Sequence, residues 1–307
     1  MSGIFWHIIT FFAAGIFIAL MIYRIISIKR MPVHLRWELA PIPHEKGKSK
    51  YGGSYLEEYE WWRKPKRRKS FTGPIIYMAR EIFLLEGVWK NNRSLWPFSL
   101  LLHYGIYFFI LTLVLYFINA LLIVKGAPLS VQSAFQGIAS VTSAAAYILG
   151  TPGVAGLFFK RALDPGLRNY SSFSTFFRLA FLGAVFISGL IARFSAADYA
   201  SEMSLYVNRI ITLDSGAAVS IATGTHIIIV LLFIIYLPWT DMVHFITKYF
   251  TYHAVRWDDE PKDKNITEKL SRLVNQPVDW SAPHINPNGR KNWADTIAGE
   301  HIEKEKS

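Results

Sequence analysis

The sequence predicts an all-α integral membrane protein with five transmembrane helices in a bundle, its N-terminus outside and its C-terminus in the cytoplasm. Hydrophobic residues make up 52% of the 307 residues, and the mean hydropathy is +0.24. This is too apolar for one soluble domain of this length. Charged residues are concentrated in the segments between long apolar stretches, as in a multi-pass membrane protein.

Five stretches are long and apolar enough to cross a hydrocarbon core, which takes about 20 helical residues. We predict membrane helices at residues 4–27, 98–124, 131–159, 174–195 and 217–249. The first stretch lacks a basic leader, and its positive charges, Arg24, Lys29 and Arg30, come after it. It is therefore predicted to be an uncleaved membrane helix rather than a signal peptide.

The distribution of charge predicts the orientation. Lysines and arginines are abundant in segments 28–97 and 160–173 and in the tail, so the positive-inside rule places these in the cytoplasm. Loop 125–130 carries one lysine, and loop 196–216 carries three acidic residues against one arginine, so both are predicted to lie outside. The protein is expected in the inner (cytoplasmic) membrane.

The chain divides into four predicted parts. Residues 1–27 form the first membrane helix, and residues 28–97 form a basic cytoplasmic insert with an amphipathic helix from about Pro74 to Trp89. Residues 98–249 form a four-helix membrane bundle, and residues 250–307 form a cytoplasmic tail. The amphipathic helix either lies at the membrane surface or docks a partner, or it covers the inner face of the bundle.

The absence of cysteine limits the chemistry of this chain. No Fe–S cluster, c-type haem attachment or disulfide can form within it, so redox chemistry requires a cofactor held by nitrogen or oxygen ligands, or a partner. The net charge of +11 follows from cytoplasmic loops rich in Lys and Arg, and no nucleic-acid recognition motif is visible. Nucleic acid is not an expected partner.

Three histidines lie in the apolar stretches of the predicted bundle: His103, His226 and His244. Imidazoles are the usual axial ligands of haem iron, and ionisable groups inside membrane helices are usually functional. His103 lies seven residues past Trp96 and His244 lies four residues before Lys248, so both are expected at a similar depth on the cytoplasmic side. We predict that they bind the iron of one haem b; interfacial histidines bonded to a neighbouring helix are the other interpretation.

His226 lies eighteen residues before His244, which is five turns of a continuous helix, with the rings about 27 Å apart on one face. We expect His226 to bind the iron of a second haem near the outer side. Its partner is open: His7, in the first turn of the first helix, is the outer-side candidate. Beside Trp6, a histidine at a helix end is more often an interfacial anchor than an iron ligand.

Other charged residues near the membrane surface have more than one interpretation each. Asp241 relays protons to a quinone, holds an arginine that pairs with a haem propionate, or lies in interfacial water. Arg178 and Arg193, near the two ends of the fourth span, either pair with haem propionates or anchor that helix at the interfaces. The basic cluster at residues 63–69 either steers an acidic partner or binds anionic lipid and enforces the topology.

Two segments resemble the respiratory nitrate reductase gamma subunit, a quinol-oxidising dihaem cytochrome b. The segment LLHYGI, residues 101–106, resembles that family's second helix, and residues 225–256 resemble its fifth, with two histidines at the family's spacing and a Leu-Pro pair before the second. The resemblance implies that His103 and His244 bind one haem. It also implies a further histidine in the second helix, at the position of Leu113, where this chain has no iron ligand.

The insert contains HLRWELAPIPHE, residues 34–45, and YGGSYLEEYEWW, residues 51–62. These segments resemble membrane cytochromes attached to heterodisulfide-reductase-type Fe–S proteins of anaerobes. The resemblance implies electron transfer between menaquinone and an Fe–S cluster subunit on the cytoplasmic face. A haem-free membrane anchor for a peripheral reductase is the alternative function, and a small transporter is disfavoured because the sequence has no paired inverted halves.

Overall fold

The computed structural model describes residues 3–30, 72–196, 198–216, 219–247, 268, 271–278 and 292–293. The predicted basic cluster at 63–69 and nearly all of the predicted tail lie outside these residues. The chain divides into two compact units, residues 1–22 with 76–243 and residues 23–75 with 244–307. In the second unit, the described part of the tail contains a single antiparallel bridge between Pro277 and Asn292.

The described residues are helical, and five of the helices are long and apolar enough to cross a membrane. The helices are α1 (Gly3–Arg30), α2 (Thr72–Leu84), α3 (Glu86–Asn91), α4 (Trp96–Val124), α5 (Leu129–Leu163), α6 (Pro165–Asn169), α7 (Phe173–Ser195), α8 (Tyr199–Thr212) and α9 (Ile221–Tyr236). The candidate spans are α1, α4, α5, α7 and the segment Ile221–Trp239. The predicted all-α fold with five spans is therefore confirmed.

In the first unit, α5 packs against both α4 and α7, and α7 packs against α9. The contact between α4 and α5 is close because glycines face each other. A Cβ atom placed on Gly105 would lie 2.5 Å from Gly150 Cα, and one on Gly153 would lie 2.4 Å from the backbone nitrogen of Leu102. Small residues at helix contacts let backbones approach each other, which is a common device in membrane bundles.

The predicted fifth helix is wrong in its second half. Helix α9 ends at Tyr236 and is followed by two short 3₁₀ turns, Leu237–Trp239 and Asp241–Val243, with Thr240 in an extended conformation between them. The proline at position 238 explains the interruption, since proline lacks the backbone N–H that a continuing helix needs. His226 and His244 therefore do not lie on one uninterrupted helix.

The predicted outer loop 196–216 also differs from the structure, because most of it forms helix α8. Asp198 caps this helix by accepting a hydrogen bond from the backbone N–H of Ser201 at 3.0 Å. Helix α8 packs against α4 and α5, and its residues Tyr199, Met203 and Ser204 are buried. The segment contributes to the core of the bundle.

Candidate functional site

His226 lies in the interior of the first unit, with 1% of its surface exposed. Its Nδ1 atom is 2.9 Å from the Ser188 hydroxyl of α7, and its Nε2 atom is 3.0 Å from the Tyr147 hydroxyl of α5. The Tyr147 hydroxyl is in turn 2.5 Å from the hydroxyl of Tyr199, the first residue of α8. Four side chains from four helices thus form one hydrogen-bonded group, which we call the His226 network.

One assignment of hydrogens satisfies every donor in the His226 network. The Ser188 hydroxyl donates to the carbonyl of Val185 at 3.1 Å, so it accepts the Nδ1–H of His226. The Nε2 atom then carries the lone pair and accepts from Tyr147, which accepts from Tyr199. The reverse direction would leave the Tyr199 hydroxyl without an acceptor within the network.

The His226 network belongs to a larger set of buried polar contacts on the predicted outer side. The Arg193 guanidinium donates to the hydroxyls of Ser143 and Ser140, both at 3.2 Å. Asn119 of α4 donates to Ser204 of α8 at 2.8 Å. Burial raises the pKa of the Tyr199 hydroxyl well above its usual value, so this residue stays protonated and donates. Arg193, which was a candidate partner for a haem propionate, contacts serine hydroxyls in this structure.

Sequence reasoning missed the partners of His226. Tyr147, Ser188 and Tyr199 are separated from it by 79, 38 and 27 residues, so no local motif joins them. The available signal was that polar side chains within apolar spans are costly unless they are paired. That signal marks Tyr147 and Ser188 as residues with partners, but it does not say which partners.

His7 lies in the first turns of α1 and contacts two backbone carbonyls. Its Nδ1 atom is 2.8 Å from the Gly3 oxygen, and its Nε2 atom is 3.0 Å from the Arg209 oxygen at the end of α8. Neighbouring Trp6 packs edge-on against Tyr206 and lies against Gly224 of α9. The Trp6 side chain thus brings the start of α1 into contact with α9, but His7 and His226 have separate hydrogen-bond partners.

His103 lies in the first half of α4 and is half-buried. Its Nδ1 atom is 2.7 Å from the Ser99 carbonyl oxygen, which can only accept, so Nδ1 carries the hydrogen and donates it. Ligating histidines commonly donate one ring N–H to a carbonyl in this way, which makes the other nitrogen the basic one. Tyr107, one turn further on, packs edge-on against the ring at 6.1 Å.

His244 follows the second 3₁₀ turn and belongs to the second unit, where its side chain is exposed. Three residues earlier, Asp241 in the first unit forms an ion pair of 2.5 Å with Arg178 of α7. The carboxylate thus holds the arginine that was a candidate for a haem propionate. The pairing of His103 with His244 stays a prediction of the sequence.

His103, which is half-buried, and His226, which is buried, differ in their fit to a haem. His103 has the donor arrangement of an iron ligand, with Nδ1–H bonded to a carbonyl. His226 has a hydroxyl at each ring nitrogen, and its Nε2 lone pair accepts from Tyr147. No group of three or more His, Cys, Asp or Glu side chains that could hold a metal ion occurs among the described residues, but a haem requires only one or two protein ligands.

The family model for the nitrate reductase gamma subunit matches residues 89–258, which is more than half of the chain. No curated protein and no solved structure matches the sequence. The matched segment begins in α3 and contains α4 to α9 as well as His103, His226 and His244. The chain therefore belongs to the nitrate reductase gamma subunit family, whose members are haem-binding membrane cytochrome b subunits that take part in electron transfer.

Proposed function

We propose that this protein is the membrane cytochrome b subunit of a quinone-linked oxidoreductase complex. It transfers electrons between membrane menaquinone and an Fe–S cluster subunit on the cytoplasmic face of the inner membrane. The observation that carries this proposal is the family match over the bundle, which includes His103 and His244. The proposed orientation has the N-terminus outside and the C-terminus in the cytoplasm.

We assign the iron ligands of one haem b to His103 and His244. The support is their predicted common depth on the cytoplasmic side, together with the hydrogen bond from His103 Nδ1 to the Ser99 carbonyl. That bond places the ring hydrogen on Nδ1 and sets the ring orientation, as the hydrogen-bond partners of metal-binding histidines do. When bound, the haem supplies one-electron transfer, and this cysteine-free chain has no ligands for an Fe–S cluster that would supply it instead.

Two side chains in the first half of α4 are bonded to the end of α2, near His103. Tyr107 packs against the His103 ring and donates its hydroxyl to the carbonyl of Ile82 at 2.8 Å. Trp96 at the start of α4 donates to the carbonyl of Leu84 at 2.8 Å. These two bonds connect the end of α2 to the part of α4 that carries His103.

Charge supports docking of a partner on the cytoplasmic side. Lys160, Arg161 and Arg168 lie at the ends of α5 and α6, and the sequence adds the basic cluster at 63–69 in the same predicted compartment. Positive surface patches speed the association of acidic partners and orient them. An acidic Fe–S subunit is therefore the partner that this face fits.

A visible spectrum tests the haem and its ligands. We expect the purified full chain to give a b-type reduced-minus-oxidised spectrum, and we expect the substitutions His103→Ala and His244→Ala each to abolish it. His253→Ala, nine residues after His244, is the matched control and should retain the spectrum. If the wild-type chain carries no haem, the proposal fails and the haem-free anchor becomes the better function.

A reduction experiment tests the quinone. A soluble menaquinol analogue should reduce the haem of membranes that contain the protein, and the rate should depend on the analogue concentration with saturation. Reduction by dithionite alone, with no reduction by the quinol, would contradict quinone as the electron donor or acceptor.

A further inference from the structure

We infer that this chain binds a single haem and that His226 links helices through hydrogen bonds instead of binding a second iron. The inference rests on the proposed function for the presence of the first haem. The role of His226 itself rests on the geometry of the His226 network. This differs from the sequence-based expectation that His226 binds a second haem.

The nitrogen lone pair of the His226 ring already has a hydrogen-bond donor as its partner. Iron binds an imidazole through a nitrogen lone pair, and a neutral ring offers one such nitrogen. The only assignment that satisfies all donors of the network gives the Nδ1 hydrogen to Ser188 and the Nε2 lone pair to Tyr147. An iron at Nε2 would displace the Tyr147 hydroxyl, which is buried and would lose its acceptor.

Aromatic side chains of α4 and α5 pack against the His226 ring. Phe109 of α4 packs edge-on against the His226 ring, with the ring centroids 6.4 Å apart. Tyr147 packs against the same ring from α5 at 5.4 Å. Leu113, where the family has its further histidine, lies one helical turn beyond Phe109 on the same face of α4. Aromatic rings thus occupy the position beside His226 where a porphyrin would have to lie.

His7 is the outer-side histidine that the sequence offered as a ligand to complete a second haem. Both of its ring nitrogens contact backbone carbonyls, those of Gly3 and Arg209. Because Leu113 has no donor atom and His7 is bound elsewhere, neither candidate supplies a sixth ligand. On the same predicted side of the bundle, Arg193 and the Asn119 amide nitrogen donate to serine hydroxyls.

The haem content of the full chain tests the count. Pyridine haemochrome analysis should give one haem per polypeptide, and His226→Gln should retain it in full. His103→Ala is the matched substitution and should lose it. Two haems per polypeptide, with one of them lost in His226→Gln, would overturn the inference while leaving the proposed function intact.

A stability measurement tests the network without using the haem. Ser188→Ala should lower the Tm of the detergent-solubilised wild-type chain by about 3 °C, and it should lower the Tm much less in a His226→Leu background, where its partner is already absent. An equal fall in both backgrounds would contradict a bond between Ser188 and His226 and would overturn the inference. This measurement decides the role of His226 even if the wild-type chain proves haem-free, an outcome that would overturn the proposed function instead.

Discussion

The ring nitrogens of His103 and His226 have different kinds of partner. In His103 the contact at Nδ1 is a backbone carbonyl, which fixes the hydrogen on that atom. In His226 both contacts are hydroxyls, and the direction of each bond follows from the bonds that Ser188 and Tyr199 make. A histidine side chain is therefore suited to bind iron at position 103 and to join helices at position 226.

The Tyr147 hydroxyl should contribute more to stability than the Tyr199 hydroxyl. Tyr147→Phe removes the donor to His226 and the acceptor of Tyr199, so two buried groups lose a partner, at a cost of about 1–3 kcal/mol in the free energy of unfolding. Tyr199→Phe removes a single bond and should cost about 1 kcal/mol. Thermal or denaturant unfolding in detergent measures both.

Tyr170→Phe is the control for these two tyrosine substitutions. Tyr170 lies at the end of α6 and is 91% exposed, so loss of its hydroxyl should leave the stability unchanged. A Tyr147→Phe protein as stable as the Tyr170→Phe protein would show that the network does not stabilise the fold.

At the scale of the helices, glycines set how closely α4 and α5 approach. Gly105, Gly150 and Gly153 all lie where an added Cβ would come within 2.7 Å of atoms on a neighbouring helix. The structure places Gly105 against Gly150 and Gly224 against Trp6, so both serve helix contacts.

Gly105→Ala should therefore destabilise the bundle. The added methyl would lie 2.5 Å from Gly150 Cα, and a backbone atom cannot move aside without shifting the helix. Overpacking of this kind costs about 1–3 kcal/mol in the free energy of unfolding. The measurement is the unfolding midpoint in detergent.

Gly137→Ala in α5 is the matched control for that substitution. Its Cβ would meet no atom within 4 Å, so the change should leave the stability unchanged or raise it by up to about 1 kcal/mol through the higher helix propensity of alanine. Equal destabilisation by both substitutions would contradict close packing of α4 against α5.

The sequence predicted the elements whose evidence is local. Each membrane helix is a long apolar run, so all five were found, and the first four were found within a few residues of their bounds. Helix α8 was missed because its charges suggested a loop, although Tyr199, Met203 and Ser204 form a buried face. The end of α9 was missed because the apolar run continues past Pro238. The His226 network could not be predicted, since its partners come from three other helices.

At the scale of the whole molecule, the charges of the described loops support the proposed orientation. The ends of α5 and α6 carry Lys160, Arg161 and Arg168, and the α8 segment carries Glu202 and Asp214. Helices α1, α5 and α7 all have basic residues in their last turn. In the proposed orientation α7 ends on the opposite side of the membrane from α1 and α5, so these helix ends do not decide the orientation. The loop charges give the stronger argument, because the positive-inside rule counts lysines and arginines in short loops.

Single cysteines test this orientation in a chain that has none of its own. Ser215 and Tyr170 are both exposed, and they lie in the predicted outer and inner loops. In intact cells or right-side-out vesicles, a membrane-impermeant maleimide should label Ser215→Cys and leave Tyr170→Cys unlabelled, because the bilayer separates the reagent from the inner loop. Both variants should be labelled after solubilisation in detergent, which controls for access to the thiol. The reverse pattern would place the basic loop outside, and with it the surface proposed to dock the Fe–S partner.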